Sequence, residues 1–167
     1  MKPIWAPWRM AYIEGGAKEP GCIFCDKLKS ADARASLLLT QTDHSLIMLN
    51  KYPYNSGHLL LAPKRHTNEV SALSREEYQD LCAALRSSVA VVLEALKPGG
   101  VNLGMNLGRC AGAGVEDHLH WHVVPRWEGD TNFMPVVGET KVISQHLLDS
   151  YDRLSPFFKD FAVPGHG

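Results

Sequence analysis

Apolar residues recur along this chain with more than one period, and the periods divide it into elements. Tyr78, Leu81, Cys82, Leu85, Val89, Val92, Leu93 and Leu96 repeat at helical spacing. Ser74-Arg-Glu-Glu77 stands before them as a capping box, a serine N-cap with a glutamate three residues on. Lys97-Pro-Gly-Gly100 ends the run. The stripe predicts a long helix behind Ser74, with Cys82 on its apolar face as a core thiol. Ser45–Leu49 and His58–Pro63 are short apolar runs and predict strands. Lys51-Tyr-Pro-Tyr-Asn-Ser-Gly57 between them is turn chemistry, so the two strands form a hairpin with a long connection. Val101–Asn106 predicts another strand, and residues 107–114 a glycine-rich loop. Residues 128–140 read as loop, and 141–161 contain a second helix ended near Pro156.

His118-Leu-His-Trp-His-Val-Val124 has a period of two. On a strand, His118, His120 and His122 share one face while Leu119, Trp121 and Val123 share the other. The β-branched Val123 and Val124 favour that assignment. Pro125 fits near a strand end or on an edge, so the strand is expected over about residues 117–124. Three chemistries suit such a row. It is a solvated face, a three-histidine metal site, or an anion site in which one imidazole attacks phosphorus and its neighbours hold phosphate oxygens.

The 167 residues are 45% hydrophobic, enough for one domain with a full core. The order is an aromatic arm over residues 1–20 (Trp5, Trp8, Tyr12), hairpin, helix, hairpin and helix, with the C-terminal helix and tail in 141–167. It predicts an α+β fold, an antiparallel sheet of about five strands with two main helices. A net charge of −1 gives no electrostatic footprint for nucleic acid. No apolar run approaches about 18 residues, and the first residues lack a signal-peptide core, so no membrane role is expected. Four cysteines in that setting read as free thiols or metal ligands, with the cytoplasm as the expected compartment.

Two further stretches carry chemistry. Leu107-Gly-Arg-Cys-Ala-Gly-Ala-Gly114 has no bulky side chain after Cys110. Small residues let backbone N–H groups approach an anion closely, although such loops also serve as plain turns. Asn106 stands where it can add a neutral donor. Cys22-Ile-Phe-Cys25 has zinc-knuckle spacing, and the same spacing suits a pair of reduced thiols.

The His118–Val124 pattern resembles the His-φ-His-φ-His-φ-φ signature of the histidine triad (HIT) family of nucleotide hydrolases and transferases. Gly57-His-Leu-Leu-Leu-Ala-Pro-Lys-Arg-His66 is similar to the family's Gly-His strand and the Pro-Lys-x-His that follows it. Two end motifs, Trp5-Ala-Pro-Trp-Arg9 and Pro125-Arg-Trp-x-Gly-Asp-x-Asn-Phe133, resemble the branch of bacterial diadenosine polyphosphate phosphorylase-like proteins. The resemblance implies a HIT-like single domain and a set of roles. His120 attacks the α-phosphorus and carries a covalent AMP, His122 holds a phosphate oxygen and assists the leaving group, and His118 orients the site. Ala113, Gly114 and Asn106 add donors, Asn50 binds the ribose, and Ile23, Phe24, Met48 and Leu49 line the base pocket. It also implies a structural zinc on Cys22, Cys25, His66 and His118, and a homodimer.

One departure bears on the reaction. Hydrolase branches of the family often carry a glutamine where Gly114 stands, and a missing side chain leaves room for inorganic phosphate as acceptor. The expected activity is therefore cleavage of dinucleoside polyphosphates through an AMP–His120 intermediate resolved by phosphate or water, with phosphorolysis favoured. An AMP-amine phosphoramidase, a three-histidine metalloenzyme and a non-catalytic nucleotide-binding module are the competing functions.

Overall fold

The computed structural model describes residues 21–130 and 146–162. The aromatic arm, the segment expected to be loop beyond Asp130 and the last residues of the tail lie outside them. Within the described residues the chain forms α1 (Ile23–Leu28), α2 (Ala33–Ser36), β1 (Leu38–Gln41), β2 (Ser45–Leu49), β3 (Leu59–Pro63), α3 (Arg75–Leu96), β4 (Gly100–Met105), β5 (Trp121–Arg126) and α4 (Leu147–Leu154). The five strands make one antiparallel sheet in the order β1-β2-β3-β5-β4, the expected α+β arrangement. No described helix is long and apolar enough to cross a membrane.

Both faces of the sheet are covered, which explains why β2 and β3 read as unbroken apolar runs rather than alternating ones. Ile47, Leu49, Leu59, Leu61 and Val123 pack against Leu81, Val92 and Leu96 of α3 and Leu154 of α4. Leu46, Met48, Leu60 and Ala62 point the other way and pack on Phe24 of α1. The histidines belong to this second face, where the helical cover is a single short turn of chain.

The capping box forms as expected: Glu77 N–H donates to Ser74 Oγ (3.2 Å) and Ser74 N–H donates to Glu77 Oε2 (2.8 Å). Lys97 adopts a left-handed φ of 49° and ends α3. The buried stripe differs from the expected one. Ala84 and Ser88 lie against the sheet, whereas Tyr78 and Leu93 are exposed and Cys82 is only half-buried, not the core thiol expected. Small residues let the helix sit close to the sheet, and that rotates the larger ones outward. Asp80 is buried on the same helix and accepts from the hydroxyls of Thr42 and Ser45, each at 2.6 Å, tying α3 to the β1–β2 turn.

β5 begins later and ends later than the expected 117–124. Before it, Leu119 N–H donates to Thr67 O at 2.8 Å, outside any ladder. Pro125 sits inside a central strand, opposite Val101. Pairing with β3 ends at Val123, and the Pro125 carbonyl accepts from the Asn55 side chain at 3.1 Å. In an antiparallel strand a residue's N and O face the same side. The proline nitrogen therefore faces the 51–57 loop, where no ladder N–H is required. Three elements went unpredicted: α1, α2 and β1. The first two span 6 and 4 residues, too short for a periodic stripe.

Two stability effects follow. Gly57 has φ +73°, and a Cβ there would clash with Leu96 Cδ1. Gly57→Ala should lower the unfolding free energy by about 1–3 kcal/mol in urea titration. The paired Arg65 guanidinium, then the Ser74 N–H, hold the Glu77 carboxyl down to about 2. Its folded value lies below an unfolded value of about 4.3, so its contribution is present above that value and fades as pH falls toward 2. Glu77→Gln should flatten the loss of melting temperature between about pH 5 and pH 2.

Candidate active site

His118, His120 and His122 lie on the face of the sheet that α1 covers, and the first two are almost fully buried. Phe24 brings the cover: its ring centroid is 5.0 Å from the imidazoles of both His118 and His120. Burial pushes all three imidazoles down from their ordinary value. In His118 and His120 a bond to a carbonyl opposes the effect; in His122, with His120 adding to it, the value reaches about 4. Burial thus favours the neutral form of all three. The solvated-face reading therefore fails, and the site presents lone pairs and N–H groups in place of charge.

The neighbours fix which nitrogen carries each proton. A carbonyl oxygen only accepts, so His118 Nε2–H donates to Pro63 O (2.8 Å) and its Nδ1 lone pair is left facing Cys22 Sγ (3.2 Å) and Cys25 Sγ (3.8 Å). By the same rule His120 Nδ1–H donates to the carbonyl of His118 (2.9 Å), which leaves the lone pair on Nε2. The third case runs through a residue that sequence reasoning placed only as the head of a strand. His58 is fully buried, and its Nδ1 accepts the Tyr54 backbone N–H at 3.0 Å. Its proton is thus on Nε2, which donates to His122 Nδ1 at 3.0 Å. His122 is left with an Nε2–H donor. The cues in the sequence were a polar residue opening an apolar run and the resemblance of Gly57-His58 to the family's Gly-His strand, and neither named a proton donor to His122.

The remaining expected residues divide. Met48 and Phe24 lie on the histidine side, and Ile23 is partly exposed beside them on α1. Leu49 packs in the opposite core with Ile47, because neighbouring strand residues face opposite ways; it does not join Met48. Asn50 is engaged on both amide atoms, Oδ1 accepting from Tyr52 N–H (2.9 Å) and Nδ2 reaching His58 Nδ1 (3.3 Å). Asn106 Nδ2 donates to Gly112 O (3.4 Å), and the Ala113 N–H donates to Gly108 O (3.3 Å), so both help fold the loop. Gly114 is exposed in that loop.

Cys22, Cys25, His66 and His118 converge, with one ligand atom from each lying within 4.8 Å of all the others. Cys25 Sγ is 3.5 Å from His66 Nδ1. Burial and the adjacent Cys22 thiol push the Cys25 thiol up, so holding both sulfurs as thiolates calls for a cation between them. No other such group occurs among the described residues. His118 turns toward this cluster and His122 Nδ1 toward His58, so the three triad imidazoles do not converge on a metal of their own.

Comparison with known proteins agrees with this arrangement. A family model described as "HIT domain" matches residues 33–129. An AP-4-A phosphorylase of Mycobacterium tuberculosis is 35% identical over 158 residues, covering 90% of this chain and 80% of that protein. An adenosine 5'-monophosphoramidase of Schizosaccharomyces pombe is 36% identical over 105 residues, covering 63% of this chain and 74% of that protein. The crystal structure of a Zn-bound histidine triad family protein from Mycobacterium smegmatis superposes with a TM-score of 0.65 at 26% identity, over 83% of this chain and 93% of that one. With its five-stranded sheet and its histidine-lined face, this chain belongs to the HIT family, whose relatives include nucleotide-processing enzymes.

Proposed function

We propose that the protein cleaves dinucleoside polyphosphates of the diadenosine tetraphosphate type through a covalent AMP–His120 intermediate. The observation that carries this reading is the His120 Nε2 lone pair, aimed away from the His118 carbonyl that holds Nδ1–H. In the first step that lone pair forms a bond to the α-phosphorus. The bond from phosphorus to the bridging oxygen breaks, and the oxygen leaves with the electron pair as ATP, receiving a hydrogen bond from His122 Nε2–H. In the second step an oxygen of inorganic phosphate attacks the same phosphorus and the P–N pair returns to His120, giving ADP. Water in place of phosphate gives AMP. Similarity to the AP-4-A phosphorylase across 90% of this chain favours phosphate as the acceptor, as does the missing side chain at Gly114. Phe24, Met48 and Ile23 form the apolar wall for the base; Asn50 serves the ribose, and the loop ending at Gly114 serves phosphate oxygens. An AMP-amine phosphoramidase is the second reading, supported by the Schizosaccharomyces relative.

The Cys/His cluster fits a structural zinc. Zinc–sulfur bonds of about 2.3 Å and zinc–nitrogen bonds of about 2.0–2.1 Å set tetrahedral ligand atoms about 3.5 Å apart. Three of the four sulfur–nitrogen pairs here stand at 3.2, 3.5 and 3.8 Å. Zinc would tie α1 to the segments carrying His66 and His118 and hold His118 in its tautomer. A homodimer is supported by β4, an edge strand with Leu103 exposed, beside α3 with Leu93 exposed. Free thiols at the described cysteines suit the reducing cytoplasm.

Incubation with diadenosine tetraphosphate and orthophosphate should give ADP and ATP, with an acid-labile AMP adduct trapped on the protein. His120→Ala should abolish both turnover and adduct, and His122→Ala should slow turnover by about 100-fold or more. Retention of wild-type turnover by His120→Ala would refute the mechanism. AMP with ATP, formed independently of phosphate, would make it a hydrolase. Metal analysis of the purified protein should return about one zinc per chain. Cys25→Ser should lose most of that zinc and melt at lower temperature; an unchanged zinc content would place the metal elsewhere.

A further inference from the structure

We propose that Asp130 and Asn55 are positioning residues, forming a clamp at the end of β5 that sets the proton position on His122 through the 51–57 loop. The inference rests on the reading of His122 as the donor to the leaving oxygen.

The Asp130 carboxylate is fully engaged. Its two oxygens take a forked pair from Arg126, Nε to Oδ2 and Nη2 to Oδ1, both at 2.7 Å. Oδ2 also accepts from Trp127 N–H (3.1 Å) and from Asn55 Nδ2 (2.8 Å). Arg126 is held in turn by Asn102 Oδ1 of β4 (3.0 Å). Asn55 makes its second donor contact to Pro125 O, and its own backbone carbonyl accepts from His58 N–H at 3.2 Å. One residue before it, Tyr54 donates its N–H to His58 Nδ1 and lays its ring over His122, at 5.6 Å and 17°. The path from carboxylate to His122 is therefore continuous: Asp130, Asn55, the Tyr54 amide, His58 and His122. Each link is a directional hydrogen bond or a bond of the chain.

The logic lies in the donor order. The Tyr54 amide can only donate, so His58 Nδ1 must accept, and the His58 proton must be the one given to His122. If the loop moved, the Tyr54 amide would turn away, and Asn50, whose Oδ1 is held by the Tyr52 N–H of the same loop and whose Nδ2 also faces His58 Nδ1, would be free to turn its oxygen there; both imidazoles could then take the opposite tautomer. His122 would then present a lone pair, not an N–H, to the departing oxygen. A surface ion pair with only a structural role needs no such connection to the histidine face.

The test uses Asn55→Ala and Asp130→Asn in the full chain. Nitrogen-15 NMR of labelled imidazoles reads the tautomers of His58 and His122 independently of activity. Kinetics compares diadenosine tetraphosphate with the p-nitrophenyl ester of AMP, whose aryl oxide leaves without a proton. Both variants should show the second tautomer at His122 and lose about ten- to a hundredfold in kcat on the tetraphosphate with little change in KM. The aryl ester should be nearly spared. Unchanged tautomers, or equal slowing of both substrates, would overturn the clamp and leave a stabilising ion pair. Should Asp130→Asn fail to fold, Asn55→Ala, which keeps the Arg126–Asp130 pair, decides alone. If the wild-type chain turns over neither nucleotide, the activity reading falls, and the tautomers in Asn55→Ala still decide the clamp.

Discussion

The hydrogen bond from His120 Nδ1 to the His118 carbonyl is the constraint around which this face of the sheet is organised. It chooses which nitrogen of the central imidazole is bare. Its acceptor is itself immobilised, because the His118 ring donates to Pro63 and turns its other nitrogen to the two cysteines. The backbone of one histidine orients the next. Water would compete for both carbonyls in an open site, and burial under Phe24 keeps it out.

Burying titratable rings in a row is costly unless each polar atom is satisfied. Here each ring is matched to a partner that can play only one role. Pro63 and His118 offer carbonyls, and Tyr54 offers an amide. His58 converts that amide into a donor for His122. The outcome is a row of neutral bases whose protons are assigned by the fold. The donors and the bare nitrogen are thereby oriented before any ligand arrives.

The face is anchored from both ends. The Cys22/Cys25/His66/His118 group brings it together with α1 and the chain after β3. The Arg126–Asp130–Asn55 network fastens the far end of β5 to the loop before β3. β3 and β5 pair between these anchors through only Leu59–Leu61 and Trp121–Val123.

Much of this was legible in the chain. The period-two histidines, the capping box at Ser74–Glu77 and the apolar runs of β2 and β3 are local patterns whose meaning depends on residues a few positions away. The sequence alone thus determined the α+β class, the long helix and the common face of His118, His120 and His122. It did not determine that Leu49 and Met48 part company across the sheet floor, that Tyr78 and Leu93 turn outward, or that Pro125 lies inside β5. Those outcomes depend on which surfaces meet. The role of His58 was hidden for the same reason: its proton is fixed by Tyr54 and given to His122, 64 positions away in the chain. Proton placement on an imidazole is decided by what lies within 3 Å of each nitrogen, and only the tertiary structure brings those atoms together.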